Sequence, residues 1–112
     1  MTTRTEADRR RFLREEYVSR INRVLDHVDA NLADDLSLDA LAGVAGFSPF
    51  HFHRIFRALT GETLNRFIQR LRVEKAARQL LANRRETITE IALDCGFSSS
   101  ASFARAFKEA FK

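Results

Sequence analysis

Apolar residues recur every three or four positions along most of the chain, which is the spacing of one face of an α-helix. The first such stripe consists of Ile21, Val24, Leu25, Val28 and Leu32. It predicts a helix that begins between Ala7 and Glu15 and ends near Asn31. Pro occurs once and Gly four times, so few residues interrupt helices. The pattern as a whole predicts an all-α fold.

An internal repeat becomes visible when the chain is compared with itself at an offset of about fifty residues. The matched positions are Leu38, Leu41, Ala42, Gly46, Phe47 and Ser48 against Ile88, Ile91, Ala92, Gly96, Phe97 and Ser98. With one extra residue in the second copy, Phe52, Arg54 and Phe56 then correspond to Phe103, Arg105 and Phe107. The chain therefore contains two copies of one helical unit.

Each copy has the residues that a helix-turn-helix requires. The expected helix caps are Ser37, Thr87 in a capping box with Glu90, and Ser48 followed by Pro49. Gly46 and Gly96 stand where the first helix of each copy ends, a position that favours positive φ. Phe47 and Phe97 follow and are expected to fill the corner. We therefore predict two helix-turn-helix subdomains.

The second helix of the first copy has two chemically different faces. Its apolar stripe, Phe52, Ile55, Phe56 and Leu59, is expected to face the core. The opposite face presents Phe50, His53, Arg54 and Arg57. An arginine can donate to two acceptors of guanine, and an apolar ring can contact a thymine methyl group. This face is therefore typical of a helix that reads bases in the major groove.

The corresponding helix of the second copy offers less chemistry to a base pair. Its expected core residues are Phe103, Ala106, Phe107 and Ala110, and its outward residues are Ala101, Ala104, Arg105 and Lys108. We expect this unit to contribute mainly phosphate contacts, with Arg105 its best candidate for reading a base. The amide ends of the helices that start near Leu38 and Ile88 are expected to anchor further phosphates.

Residues Thr63–Asn83 are predicted to form one long linker helix between the two copies. Leu64, Phe67, Ile68 and Leu71 cluster on one side, and Val73, Ala76, Ala77, Leu80 and Leu81 lie about half a turn away. Each half can therefore pack against a different unit. Residues 64–81 would span about 27 Å at about 1.5 Å per residue, close to the roughly 34 Å between successive major-groove segments on one face of DNA.

These elements divide the single domain of residues 1–112 into four parts. Residues 1–16 are a basic tail or helix start, residues 17–62 the first helix-turn-helix subdomain, 63–83 the linker helix and 84–112 the second subdomain. Arg9, Arg10 and Arg11 fall outside any clear apolar period, so we expect this start to be a frayed tail.

Charge is segregated along the chain, although the net charge is only +4. Residues 20–49 contain two Arg against five Asp, whereas residues 50–85 contain nine Arg or Lys against two Glu. A basic surface of this kind favours a polyanion. No apolar run approaches the roughly 20 residues that cross a bilayer, so we expect a cytoplasmic protein. Association with the nucleoid is expected if the polyanion is DNA. The single Cys95 agrees with a reducing compartment.

Other chemistry finds little support in the sequence. His51 and His53 lie some 200° apart on a helix, so they cannot chelate one metal ion as an i, i+4 pair can. Cys95 precedes the corner glycine and is expected to be a small buried thiol. No paired carboxylates, phosphate-cradling glycine loop or catalytic Cys/His arrangement is present. We assign no enzyme activity, metal or cofactor.

The duplicated unit, the linking helix and the run Gly96-Phe97-Ser98 followed by residues 103–108 closely resemble the AraC/XylS family of bacterial transcription regulators. The resemblance covers about residues 17–112. It implies a seven-helix domain that inserts two recognition helices into adjacent major grooves of promoter DNA, usually activating transcription by contacting RNA polymerase. It also implies base contacts from Phe50, His53 and Arg54 in the first reader and from Ser100, Ala101 and Arg105 in the second.

One departure from the family pattern concerns the end of the chain. The pattern normally continues past the last helix into a segment with Pro and Tyr-Arg, whereas this chain stops at Phe111-Lys112. The first copy does continue, through residues 60–64. We therefore expect a fragment of a longer regulator, with an effector-binding domain to follow.

Two other functions remain open from the sequence. A helical protein-interaction module would use the exposed Phe50 and the opposed apolar faces to bind a partner protein. RNA binding is a lesser alternative, because a rigid pair of helices suits the grooves of B-form DNA better than splayed bases.

Overall fold

The computed structural model describes residues 5–82 and 85–111, which form six α-helices and no strand. The helices are α1 (Glu6–Ala30), α2 (Leu38–Ala45), α3 (Pro49–Thr60), α4 (Leu64–Ala82), α5 (Ile88–Asp94) and α6 (Ser100–Ala110). The all-α prediction is confirmed. The resemblance implied about seven helices, and the described residues form six of them.

Helix α1 begins earlier than the apolar stripe indicated. Thr5 caps it by accepting a hydrogen bond from the Asp8 amide, while the Asp8 carboxylate accepts one from the Thr5 amide. This reciprocal pair satisfies two amides that would otherwise lack partners at the helix start. The expectation of a frayed basic tail is therefore wrong for residues 6–16, and Arg9, Arg10 and Arg11 lie on the first turns of α1.

The predicted caps and corners are confirmed. Ser37, Ser48 and Thr87 each accept a hydrogen bond from a backbone amide three residues on, and Pro49 occupies the first turn of α3. Gly46 has φ of 76° and Gly96 has φ of 97°, as the sharp turns require. Ser99 caps α6. The extra residue of the second copy thus lies between the corner glycine and the cap.

Helix α4 belongs to two separate hydrophobic cores, as its two apolar stripes predicted. Leu64 and Ile68 join α1, α2 and α3 around Phe52 and Phe56. Val73 and Ala76 join α5 and α6 around Ile91 and Phe103. The linker helix expected over Thr63–Asn83 is therefore found as Leu64–Ala82, and Asn83 lies outside the described residues. Each helix-turn-helix is completed by its own half of α4.

Four residues assigned to core stripes are exposed instead. They are Leu59 (45%), Leu81 (84%), Phe107 (40%) and Ala110. All four lie in or near the last turn of their helix, where the stripe runs past the elements that cover it. Phe107 makes ring contacts with Phe103 and Phe111 within its own segment. Helical spacing gives the direction of a side chain but not whether a neighbour is there to cover it.

The second corner packs directly against the segment that follows α1. A methyl group built on Gly96 would lie 2.4 Å from the Leu32 carbonyl oxygen, closer than real contacts allow. At Gly46 the corresponding methyl group would meet Arg20 Nη1 at an ordinary 3.6 Å. The two corners therefore share a backbone conformation but differ in how closely another part of the chain approaches.

This difference predicts unequal effects of Gly96→Ala and Gly46→Ala on the free energy of unfolding. Gly46→Ala is expected to cost about 1–2 kcal/mol, because an L-residue must adopt positive φ. Gly96→Ala must also displace backbone, which is expected to cost about 1–3 kcal/mol more. Urea unfolding followed by circular dichroism measures both values. Equal losses would contradict the close approach of Leu32 to the second corner.

Candidate nucleic-acid interface

The outer face of α3 carries the four side chains that the sequence assigned to base reading. Helix α3 buries Phe52, Ile55 and Phe56. On the other side Arg54 and Arg57 are exposed, His53 is half-buried and Phe50 is 73% exposed. The Arg54 guanidinium lies 5.7 Å from the centre of the Phe50 ring. A cation and an apolar ring are thus presented together to solvent, one turn apart on the helix.

The start of α3 is held by contacts that the sequence did not reveal. The Phe47 ring is met edge-on by Tyr17 and His51, with ring centres 5.3 Å and 5.1 Å away. The Arg20 guanidinium lies 4.9 Å from the same ring, and its Nη1 donates to the Gly46 carbonyl over 3.3 Å. Helix α1 therefore braces the first corner. His51 is exposed and also packs on this corner.

The outer face of α6 carries fewer kinds of side chain than the outer face of α3. Ala101, Ala104, Arg105 and Lys108 are exposed as expected, and Ser100 is half-buried. Phe103 and Ala106 form the buried side. At the start of the helix the Ser99 hydroxyl accepts a hydrogen bond from the Ser102 amide, and the Ser102 hydroxyl accepts one from the Ser99 amide. The second candidate reader thus presents two cations and two methyl groups.

The charges in the first helical turns favour phosphate binding at the starts of α3 and α6 over phosphate binding at the starts of α2 and α5. The first turns of α3 and α6 contain no acidic residue. The first turn of α2 contains Asp39 and that of α5 contains Glu90. A carboxylate at a helix start competes with a phosphate for the amides and the helix dipole. The half-buried Leu38 and the exposed Ile88 do start these two helices, and phosphate binding at their amides stays a prediction.

Some of the basic residues in residues 50–85 are already engaged within the protein. Arg70 pairs with Glu62 and Glu74, and the hydrogen bond with Glu62 raises the pKa of Arg70. Arg72 is half-buried and donates to backbone carbonyls, and burial lowers its pKa. The count of basic residues therefore overstates the positive charge that a polyanion would meet.

The described residues offer little for other chemistry. Residues 5–82 and 85–111 contain no group of three His, Cys, Asp or Glu placed to hold a metal ion. Cys95 is buried, and this burial raises the pKa of its thiol, which agrees with the expected inert thiol. Within the same ranges, the apolar stretches of the helices are too short or too interrupted by charge to span a bilayer.

Comparisons with known proteins agree with this arrangement. A helix-turn-helix domain family matches residues 41–112. The HTH-type transcriptional activator AarP of Providencia stuartii is 38% identical over 88 residues, which cover 79% of this chain and 64% of AarP. The chain spans 71% of a transposon protein of Escherichia coli and only 12% of several Staphylococcus aureus regulators, each 40% identical to it. The chain thus spans a part of these relatives.

Solved structures show the same fold. An AraC-type regulator from Chromobacterium violaceum superposes with a TM-score of 0.74 at 30% identity, covering 83% of this chain and 82% of that one. The DNA-binding domain of AdpA, solved in complex with a target DNA, gives a TM-score of 0.71 at 29% identity and covers 77% of each chain. With the family match and the paired helix-turn-helix units, these likenesses show that the chain belongs to the AraC-type family of helix-turn-helix transcription regulators.

Proposed function

We propose that this chain binds double-stranded promoter DNA in a sequence-specific manner, with α3 and α6 in successive major grooves. The observation that carries the proposal is that two helix-turn-helix units share one helix, α4, while the outer faces of both second helices remain exposed. The similar DNA-binding domain of AdpA, solved in complex with a target DNA, supports binding to DNA here. The chemistry is recognition alone, without catalysis, metal or cofactor.

The length of α4 supports simultaneous binding of both readers. Helix α4 has 19 residues, which corresponds to about 28 Å at about 1.5 Å per residue. Successive major-groove segments on one face of B-form DNA are about 34 Å apart. Because a helix is stiff over this length, one monomer can present two readers without a second subunit.

The two readers are assigned unequal roles. In α3, we assign Arg54 to donate to guanine, Phe50 to contact a thymine methyl group, and His53 and Arg57 to contact neighbouring bases or phosphates. In α6, Ser100 and Ala101 take the base-contact positions that the family resemblance implies, Arg105 is the best candidate for reading a base, and Lys108 is assigned to phosphate contacts. Selectivity is expected to come mainly from α3.

The biological setting follows from the family. AarP is named a transcriptional activator, and we extend activation, with contact to RNA polymerase, to the regulator that contains this domain. Such a regulator works in the cytoplasm on the nucleoid. The chain spans only 12% of the staphylococcal regulators, and an effector-binding domain in a longer parent chain is part of this proposal.

The first prediction concerns the class of partner. A duplex enriched from a random pool is expected to bind more tightly than random duplex or random RNA. Binding is expected to weaken with salt, with a log–log slope of about −0.9 per phosphate neutralised. Fluorescence anisotropy across a salt series measures both properties. Equal affinity for all three nucleic acids would contradict sequence-specific recognition of DNA. Salt-independent binding of a protein partner would instead indicate the interaction module.

The second prediction separates the two arginines of the readers. Arg54→Ala is expected to cost about 1–3 kcal/mol on the enriched duplex and to relax selectivity at one base pair. Arg105→Ala is expected to weaken binding with a smaller change in selectivity. Arg78→Ala removes the same charge from an exposed position of α4 and serves as control. Equal weakening of enriched and random duplex by Arg54→Ala would make Arg54 a phosphate contact.

The third prediction contrasts two phenylalanines on opposite faces of α3. Phe50→Ala is expected to change the free energy of unfolding by less than about 0.5 kcal/mol, whereas loss of the fully buried Phe52 costs about 3–5 kcal/mol. Phe50→Ala should nevertheless weaken binding to the enriched duplex. Replacing thymine by deoxyuridine at the contacted position should reproduce this loss. A stable Phe50→Ala variant with wild-type affinity would remove Phe50 from the interface.

A further inference from the structure

The side chain of Arg72 connects three parts of the chain. It projects from the middle of α4, and its Nε donates to the Leu32 carbonyl over 2.8 Å. Its Nη2 donates to the Asp34 carbonyl over 3.1 Å. These carbonyls belong to the turn after α1, some 40 residues away in sequence. The planar guanidinium presents several donors in fixed directions, so two carbonyls that are not consecutive can be held at once.

The third partner is the corner of the second helix-turn-helix. A methyl group on Gly96 would lie 2.6 Å from Arg72 Nε and 2.9 Å from its Cζ. The same methyl group would lie 2.4 Å from the Leu32 carbonyl oxygen. The backbone at Gly96 therefore rests directly on the hydrogen bond between Arg72 and Leu32. Only a residue without Cβ permits this approach.

The contact joins the two cores at one point. Leu32 and Leu36 are buried in the core formed with α1, α2 and α3. Cys95 and Phe97, on either side of Gly96, are buried in the core formed with α5 and α6. A rotation of one core against the other would move the Leu32 carbonyl relative to Gly96. It would therefore break or compress the contact that Arg72 holds.

Burying half of a charged guanidinium costs desolvation free energy, so packing alone does not explain an arginine at this position. Desolvation opposes the charge of Arg72 and lowers its pKa, and the two carbonyl hydrogen bonds offset this cost. An aliphatic side chain could fill a similar volume without desolvating a charge. What it could not supply is a directional link between two particular carbonyls and the opposing glycine.

We propose that Arg72 is a positioning residue that fixes the angle between α3 and α6, and thereby the spacing of the two half-sites that the domain accepts. The inference rests on the proposed binding of DNA by both helices. Two linked readers gain affinity only when both reach their sites at once. The contacts of Arg72 with both cores are therefore expected to determine which half-site spacing the domain prefers. The base contacts that each reader makes do not depend on them.

The test uses Arg72→Met, Arg72→Lys and the control Arg78→Met. Affinity is measured on the enriched duplex, on a duplex with one base pair inserted between the half-sites, and on a duplex with the second half-site randomised. One inserted pair rotates the half-sites by about 34°. Circular dichroism confirms that each variant is folded, and Arg72→Lys, which keeps the charge, replaces Arg72→Met if the latter does not fold.

Wild-type protein and Arg78→Met are expected to prefer the native spacing by about tenfold or more. Arg72→Met is expected to lose most of its affinity at native spacing and little on the randomised half-site, so that its preference falls to about threefold or less. A spacing preference unchanged from wild type in a folded Arg72 variant would overturn the inference. So would an equal loss on all three duplexes, which a merely destabilised fold would produce.

A measurement without DNA separates this inference from the proposed function. Spin labels at Ala58→Cys in α3 and Ala104→Cys in α6, both exposed positions, report the distance between the helices. Arg72→Met is expected to broaden this distance distribution, and Arg78→Met to leave it unchanged. If wild-type protein fails to select any duplex, the proposed function fails, whatever the labels show. A narrow, unchanged distribution in Arg72→Met would refute the positioning role alone.

Discussion

Helix α4 contributes to both hydrophobic cores, and its buried side passes from the first core to the second within two residues. The rest of the molecule depends on this shared helix. Leu71 packs with the first core and Val73 lies in the second. At about 100° per residue these two positions point to opposite sides of one helix. Each helix-turn-helix is too small to bury its apolar face by itself, so α4 supplies the missing cover to both. The two units consequently cannot be separated without removing part of a core.

The same arrangement explains which features could be predicted from the sequence. Caps, corner glycines and the two stripes of α4 are local, because each depends on residues within one or two helical turns. The early start of α1 was also encoded locally, in Thr5 and Asp8, but no apolar stripe accompanies it. What stayed hidden are contacts over long separations, such as Arg20 with Gly46 and Arg72 with Leu32, which span 26 and 40 residues. No periodicity records such pairs.

Aligning α3 and α6 on their N-cap residues shows how the side chains on their outer faces differ. Arg54 and Arg105 each stand six residues after the cap, Ser48 and Ser99. The extra residue of the second copy is therefore absorbed in the turn, and the register of the helix is kept. In this register Phe50 corresponds to Ala101, His53 to Ala104 and Ile55 to Ala106. The outer faces of the readers could be predicted from spacing, whereas the exposure of Phe107 could not. Its counterpart Phe56 is covered by Phe67 of α4, a contact made by another element.

Arginine has distinct structural and surface roles in this domain, so its abundance is a poor measure of charge available for DNA. Arg20 braces the first corner, Arg70 pairs with two glutamates and Arg72 holds the junction. Arg54, Arg57 and Arg105 are exposed on the reader faces. Only cations that replace condensed counterions contribute to the salt dependence of binding. The number of phosphates neutralised should therefore follow the exposed residues of the two reader faces and not the basic content of residues 50–85. Charge segregation in the sequence indicates a basic surface, and the hydrogen bonds of the fold determine how much of that charge remains exposed.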